Sequence, residues 1–274
     1  MDQEMIFKNL ISKNAIHQPV VICIDTSDSM GMDAGNGQTK LQMVEDLVNS
    51  LKNVDLSETE KNVVDICILG FDSSVYTIED WTNLSMFQGN VKLETTGQTA
   101  MNSVILEAIK KTREIRRVYY NNTIKSRRAE LFVYSDGFST EPMEEVYEKS
   151  QGYFNRNDPK PSAKLNMIFI PTYYNGRIIK MTDDDSIDEY KALVKGLGKN
   201  VAFVNAEDCI NGIPAGFKFM IDSIVEWSIS DPGSSVCVNL DPALVAVQNY
   251  GGIQRQNGSN VVIDTDLDDE IEIM

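Results

Sequence analysis

The sequence predicts an α/β fold: a doubly wound, mostly parallel six-stranded sheet with one antiparallel edge strand and helices on its faces. Three observations carry this. Short, nearly continuous apolar runs recur along the chain, as in strands buried on both faces. Between most of them, apolar residues return every three or four positions, as on one face of a helix. Two of the runs end on an aspartate, Asp25 and Asp136. In parallel sheets, ligands gather beyond the carboxyl ends of the strands.

The elements follow in chain order. PVVICID, from Pro19 to Asp25, is the first strand. After a glycine-rich loop, Gly31 to Gly37, the series Leu41, Val44, Val48 and Leu51 marks a helix face. VVDICILGF, Val63 to Phe71, is the second strand, and VYTIEDW, Val75 to Trp81, the third. The few residues between them allow only an antiparallel return, since a parallel one needs a long crossover. Thr95 to Ser103 leads into a long helix with Ile105, Ala108, Ile109, Thr112, Ile115 and Tyr119 inside, and Lys110, Arg113 and Arg117 opposite. Ala129 to Gly137 is the fourth strand, Lys164 to Tyr173 the fifth and Asn200 to Ala206 the sixth. Helices are expected around Glu144 to Tyr153, Ser186 to Leu197 and Phe217 to Trp227. From Asp231 the pattern changes to short β-like pieces between Asp-Pro, Gly-Gly and Asn-Gly turns. The expected organisation is an N-terminal extension over 1–18, a main domain over 19–230, and an acidic, β-rich or irregular C-terminal extension over 231–274.

Composition narrows the function. With 274 residues, 42% of them hydrophobic, the chain can build one large core. No apolar run approaches the roughly 20 residues of a membrane span. The first residues mix charge and polarity and lack a signal-peptide core, so a cytoplasmic location is expected. A net charge of −16 argues against nucleic acid. The charge is uneven: eight acids and one base lie from Asp231 onward, and eight bases with one acid from Lys110 to Arg128. That basic stretch is expected as a solvated helix face and loop, with docking of an acidic partner as the sharper alternative. Cys23, Cys67, Cys209 and Cys237 have no CxxC spacing and read as buried, reduced thiols. With one histidine, His17, a zinc site of the Cys/His type is not expected, and a Ser-His-Asp or Cys-His enzyme would have to use His17 as its base.

The chemistry concentrates in Asp25-Thr26-Ser27-Asp28-Ser29. A carboxylate and two hydroxyls recur at every second position, and an extended loop would aim all three one way. Thr99 at the start of the long helix and Asp136 at the end of the fourth strand complete a set of hard oxygen donors. Such donors suit Mg²⁺, Mn²⁺ or Ca²⁺. Two carboxylates balance a divalent ion and leave room for an incoming Asp or Glu of a partner. Asp183-Asp184-Asp185 reads as an acidic helix start in preference to a second cation site. The Gly31-to-Gly37 loop lacks the GK[ST] of a phosphate-binding loop, and Lys40 stands where a third glycine of GxGxxG belongs. Ser27 occupies the place of the second aspartate that a haloacid-dehalogenase-type phosphotransferase requires.

DTSDSMG resembles the DxSxS motif of von Willebrand factor A domains, TGQTA with Thr99 the second loop of their metal-ion-dependent adhesion site, and YSDG with Asp136 the third. Departures are Gln98, where glycine is common, and Ser135, where threonine commonly precedes the aspartate. The resemblance spans roughly Val20 to Trp227 and looks closest to bacterial cytoplasmic TerY-like proteins of tellurite-resistance and stress operons. It implies a Rossmann-like fold. It also implies a divalent cation at Asp25, Ser27, Ser29, Thr99 and Asp136, and a protein partner, such as an operon-encoded kinase or phosphatase, in place of catalysis. The alternatives are a Mg²⁺-dependent hydrolase of a phosphorylated substrate and a scaffold with a vestigial site. The tail from Asp264 to Met274, six acids interleaved with Leu267, Ile271 and Ile273, is expected to dock on the basic stretch near Arg113, Arg117, Arg127 and Arg128, to add an edge strand, or to fray.

Overall fold

The computed structural model describes residues 15–137, 139–141, 163–174, 177–179, 201–229, 235–246 and 260–264. Its strands are β1 Ile16–Asp25, β2 Val64–Phe71, β3 Val75–Asn83, β4 Lys125–Ser126, β5 Ala129–Ser135, β6 Ala163–Phe169, β7 Thr172–Tyr174, β8 Arg177–Ile179, β9 Val201–Ala206, β10 Ser235–Asn239, β11 Leu244–Ala246 and β12 Asn260–Asp264. The described helices are α1 Lys40–Ser50, α2 Glu58–Lys61, α3 Met101–Asn121 and α4 Cys209–Ile229. The helices expected around Glu144 and Ser186, the Asp183–Asp185 run and the tail beyond Asp264 lie outside the described residues.

The main sheet runs β11-β9-β6-β5-β1-β2-β3, with β4 beside the amino end of β1. The pairs from β9 through β6, β5 and β1 to β2 are parallel. β3 returns antiparallel on β2, as the short Asp72–Ser74 turn requires. All six expected strands are in this sheet. Its other edge is also antiparallel: β11, which lies beyond Asp231, pairs with β9. β10 and β12 form a separate two-stranded antiparallel sheet.

Alternation along β1 explains why its run is continuously apolar. Val20, Ile22 and Ile24 pack in one core layer with Leu41, Val44 and Val48 of α1 and Phe217, Phe219, Met220 and Ile224 of α4. Val21 and Cys23 face the opposite layer, with Val104, Ile105, Ala108, Ile109 and Ile115 of α3. Each such aliphatic side chain contributes about 1.5–3 kcal/mol on full burial. Cys23, Cys67 and Cys209 are buried free thiols.

The basic stretch departs from expectation. Lys110 and Arg117 are exposed, but Lys111, Arg127 and Arg128 are buried. Lys111 bonds Asp80 at 3.2 Å, and Arg127 donates its backbone N–H to the His17 carbonyl at 2.8 Å. These side chains lie where strand edges and helix meet, so only part of the stretch offers solvated charge.

Candidate metal-binding site

Three loops converge beyond the carboxyl ends of β1 and β5. The first leaves β1 at Asp25. A turn of 3-10 helix, Asp28–Gly31, follows Ser27, so this loop is not extended as its alternation suggests. Its hydroxyls nevertheless meet: Ser27 Oγ and Ser29 Oγ are 3.2 Å apart. Ser29 Oγ donates to Asp136 Oδ1 at 2.6 Å, across 107 residues of chain. Asp25 is fully buried, its Oδ1 accepting the Ser27 amide at 2.8 Å and its Oδ2 the Ser135 hydroxyl at 2.5 Å. Burial pushes the Asp25 carboxyl up to about 6; hydrogen bonds from Ser135 and Ser27 oppose the rise, and the nearby Asp136 adds to it.

Backbone contacts lock the loops together. Thr96 donates to the Thr26 carbonyl at 2.9 Å, and Asp28 to that of Gly97 at 3.3 Å. Gly97 has φ +71°, and a Cβ there would lie 2.4 Å from Ser73 Oγ, so glycine is required. Gln98, the departure from glycine, donates its amide to the same Ser73 oxygen at 2.9 Å. Thr140 donates to the Thr99 carbonyl at 2.9 Å and joins the second loop to the third. A Cβ on Gly137 would lie 3.5 Å from Thr99 Oγ1 and 4.0 Å from Ser29 Oγ, so both hydroxyls flank the third loop at Gly137.

Four participants escaped sequence reading. Ser135 holds Asp25 from the neighbouring strand. Glu141 caps the start of α3, accepting the Ser103 amide at 2.9 Å and the Ser103 hydroxyl. Tyr76 lies over Gly70, where a Cβ would come within 2.5 Å of its ring, and its hydroxyl is 2.9 Å from Thr26 Oγ1. Lys40, the first residue of α1, extends a buried side chain whose Nζ bonds Asp136 Oδ2 and, at 3.1 Å, Thr172 Oγ1. Nothing local marks a lysine at a helix start as buried; a carboxylate on a distant loop decides it.

The donor set of two carboxylates and three hydroxyls fits a hard divalent cation. No group of three or more His, Cys, Asp or Glu able to hold a metal exists among the described residues, so a cation here depends on the hydroxyls. His17 is at the far end of β1, roughly 26 Å away at the rise of an extended strand. There Nδ1 is 2.5 Å from Asp65 Oδ2, which also accepts the Tyr119 hydroxyl at 2.6 Å. His17 therefore cannot act as a base at this site.

This mostly parallel sheet, with its cluster of oxygens beyond β1 and β5, defines an α/β domain of the Rossmann-like kind. Residues 20–138 match the von Willebrand factor type A domain. Proteins of this family are interaction modules that bear a metal site. No curated protein matches the sequence. Among solved structures, the minor pilin PilB of Streptococcus sanguinis has a similar fold at TM-score 0.52 and 11% identity, over 81% of this chain and 65% of its own. The pilus adhesin SpaC of Lactobacillus rhamnosus GG is similar at TM-score 0.52 and 11% identity, over 93% of this chain and 38% of its own. The chain thus spans less than two thirds of either protein. Among the described residues no helix is long and apolar enough to cross a membrane.

Proposed function

We propose that this chain is a divalent-cation-dependent protein-binding module. Asp25, Ser27, Ser29, Thr99 and Asp136 would hold the ion, directly or through water, and a partner Asp or Glu would complete its coordination. Mg²⁺ is the favoured ion, with Mn²⁺ and Ca²⁺ as alternatives. The observation that carries this reading is the run of oxygens from Ser27 through Ser29 to Asp136, with Asp25 held behind it, inside the matched domain. DTSDSMG, TGQTA and YSDG resemble the metal-site motifs of von Willebrand factor A domains, closest to the bacterial TerY-like branch, and this supports a role in a cytoplasmic bacterial stress system with an operon-encoded kinase or phosphatase as partner.

The cation supplies an electron-poor centre for a carboxylate. The protein's residues supply its position: Ser27 and Ser29 present hydroxyls from one short loop, and Ser135 fixes the Asp25 carboxylate from the adjacent strand. A hydrolytic role lacks support, because the one histidine is buried at the opposite end of the sheet. Affinity capture from native lysate distinguishes the readings. A partner retained in Mg²⁺ and released by chelator or by Ser27→Ala is the expected result. A partner held equally in chelator points to the scaffold, and Mg²⁺-dependent phosphoester turnover to the hydrolase.

A further inference from the structure

The side chains of Lys40 and Asp136 are 1% and 0% exposed. A lysine this deeply covered is uncommon and needs a counter-charge, because an unpaired ammonium out of water is strongly disfavoured. Lys40 has that partner in Asp136 Oδ2, while Thr172 Oγ1 takes a second of its protons at 3.1 Å. The other oxygen of the same carboxylate, Oδ1, accepts the Ser29 hydroxyl at 2.6 Å. One carboxylate therefore joins the ammonium to the hydroxyl pair that would face the cation.

The placement is built in. Thr39 caps α1 with its side chain on the Gln42 amide, and the Gln42 side chain returns to the Thr39 amide. The Lys40 amide donates to the Met32 carbonyl at 3.0 Å, tying the start of the helix to the first loop. The lysine stem leaves a fixed point and has a short, covered path to Asp136.

We infer that Lys40 is a resident counter-cation of this site, which neutralises Asp136 in the metal-free protein and opposes the binding of a divalent ion. This rests on the metal reading proposed above. The charge count gives the direction. Asp25 and Asp136 alone balance a divalent ion, whereas with Lys40 present the loaded site carries one surplus positive charge. Two cations that share a buried carboxylate repel at short range and with little screening. The metal-free site is correspondingly well compensated, and removal of the ammonium leaves Asp136 without its ion pair.

The test is titration of the full chain with Mn²⁺ alone, for wild type, Lys40→Met, Lys40→Gln and Lys40→Arg, with folding followed by circular dichroism. Lys40→Met and Lys40→Gln are expected to bind Mn²⁺ at least about tenfold more tightly than wild type, and Lys40→Arg like wild type. Without metal, both neutral variants should melt below wild type, and Mn²⁺ should raise their melting temperature more than it raises that of wild type. Lys40→Gln keeps a polar group against Asp136 and Thr172 should Lys40→Met not fold. Unchanged or weaker Mn²⁺ affinity in a folded neutral variant overturns the role of Lys40 and leaves the metal reading standing. Absence of binding in all four proteins removes the metal reading and this inference with it.

Discussion

Ser135 shows how one hydroxyl prepares a buried carboxylate. Asp25 cannot be fully buried and ionised without donors, and Ser135 supplies one to Oδ2 while the Ser27 amide supplies another to Oδ1. Its removal by Ser135→Ala should push the Asp25 carboxyl further above about 6. A cation needs the ionised form, so Mn²⁺ affinity should fall several-fold, and more near pH 6 than near pH 8. Ser135→Thr should behave as wild type. Titrations at the two pH values check this, and equal affinity in Ser135→Ala at both would count against it. The structure links Ser27, Ser29 and Asp136 through hydroxyl contacts, and motif spacing and strand ends single out the five proposed ligands in the sequence. Ser135 appeared there only as a departure from threonine, since its contact spans 110 residues. Lys40 was legible only as a residue that is not glycine.

At the scale of elements, local pattern gave strands and helix faces, while tertiary contact set their limits. Leu41, Val44 and Val48 in α1, and Ile105, Ala108 and Ile109 in α3, are buried as their periodicity implies. The last helix is different. Gly212, Pro214 and Gly216 break the pattern, and sequence reading begins the helix near Phe217, yet α4 starts at Cys209. Asp208 caps it through the Asn211 amide at 2.7 Å. The glycines allow close approach to the sheet: a Cβ at Gly212 would lie 2.3 Å from that of Ala206, and one at Gly216 would lie 2.8 Å from Ile168 Cγ2. At α1, the capping box of Thr39 and Gln42 orients the helix that carries Lys40. Thr39→Ala should lower stability by about 1 kcal/mol. Urea denaturation measures it, and a change near zero would show that packing of Leu41 and Val44 alone fixes the start of this helix.

Across the whole molecule, charge is buried at both ends of the sheet, with different consequences. At the amino end, Glu130 in β5 lies beside Lys164 in β6. Burial pushes the Glu130 carboxyl up to about 8, against a smaller lowering by Lys164. The folded chain therefore holds a proton that the unfolded chain has lost between an ordinary glutamate value of 4.5 and about 8. Proton uptake then favours the folded state, so this contribution is complete below the lower value and is lost as pH rises through the upper one. Asp25, raised to about 6, acts in the same direction at lower pH. Melting temperatures near pH 6.5 and near pH 8.5 isolate Glu130. Wild type should lose stability between them and Glu130→Gln should lose less; an equal loss in both would assign the effect to another group. None of this was visible in the sequence, where Glu130 and Lys164 fall within apolar runs and the runs alone decide the strand assignment. At the carboxyl end, burial and loop convergence build a cluster whose use depends on a cation. Calorimetric titration of the isolated chain with Mn²⁺, beside Ser27→Ala, tests that claim most directly. Saturable binding at a single site, weakened at least about tenfold in a Ser27→Ala variant of unchanged fold, is the expected result. No binding at millimolar Mn²⁺, or equal binding by Ser27→Ala, would contradict it.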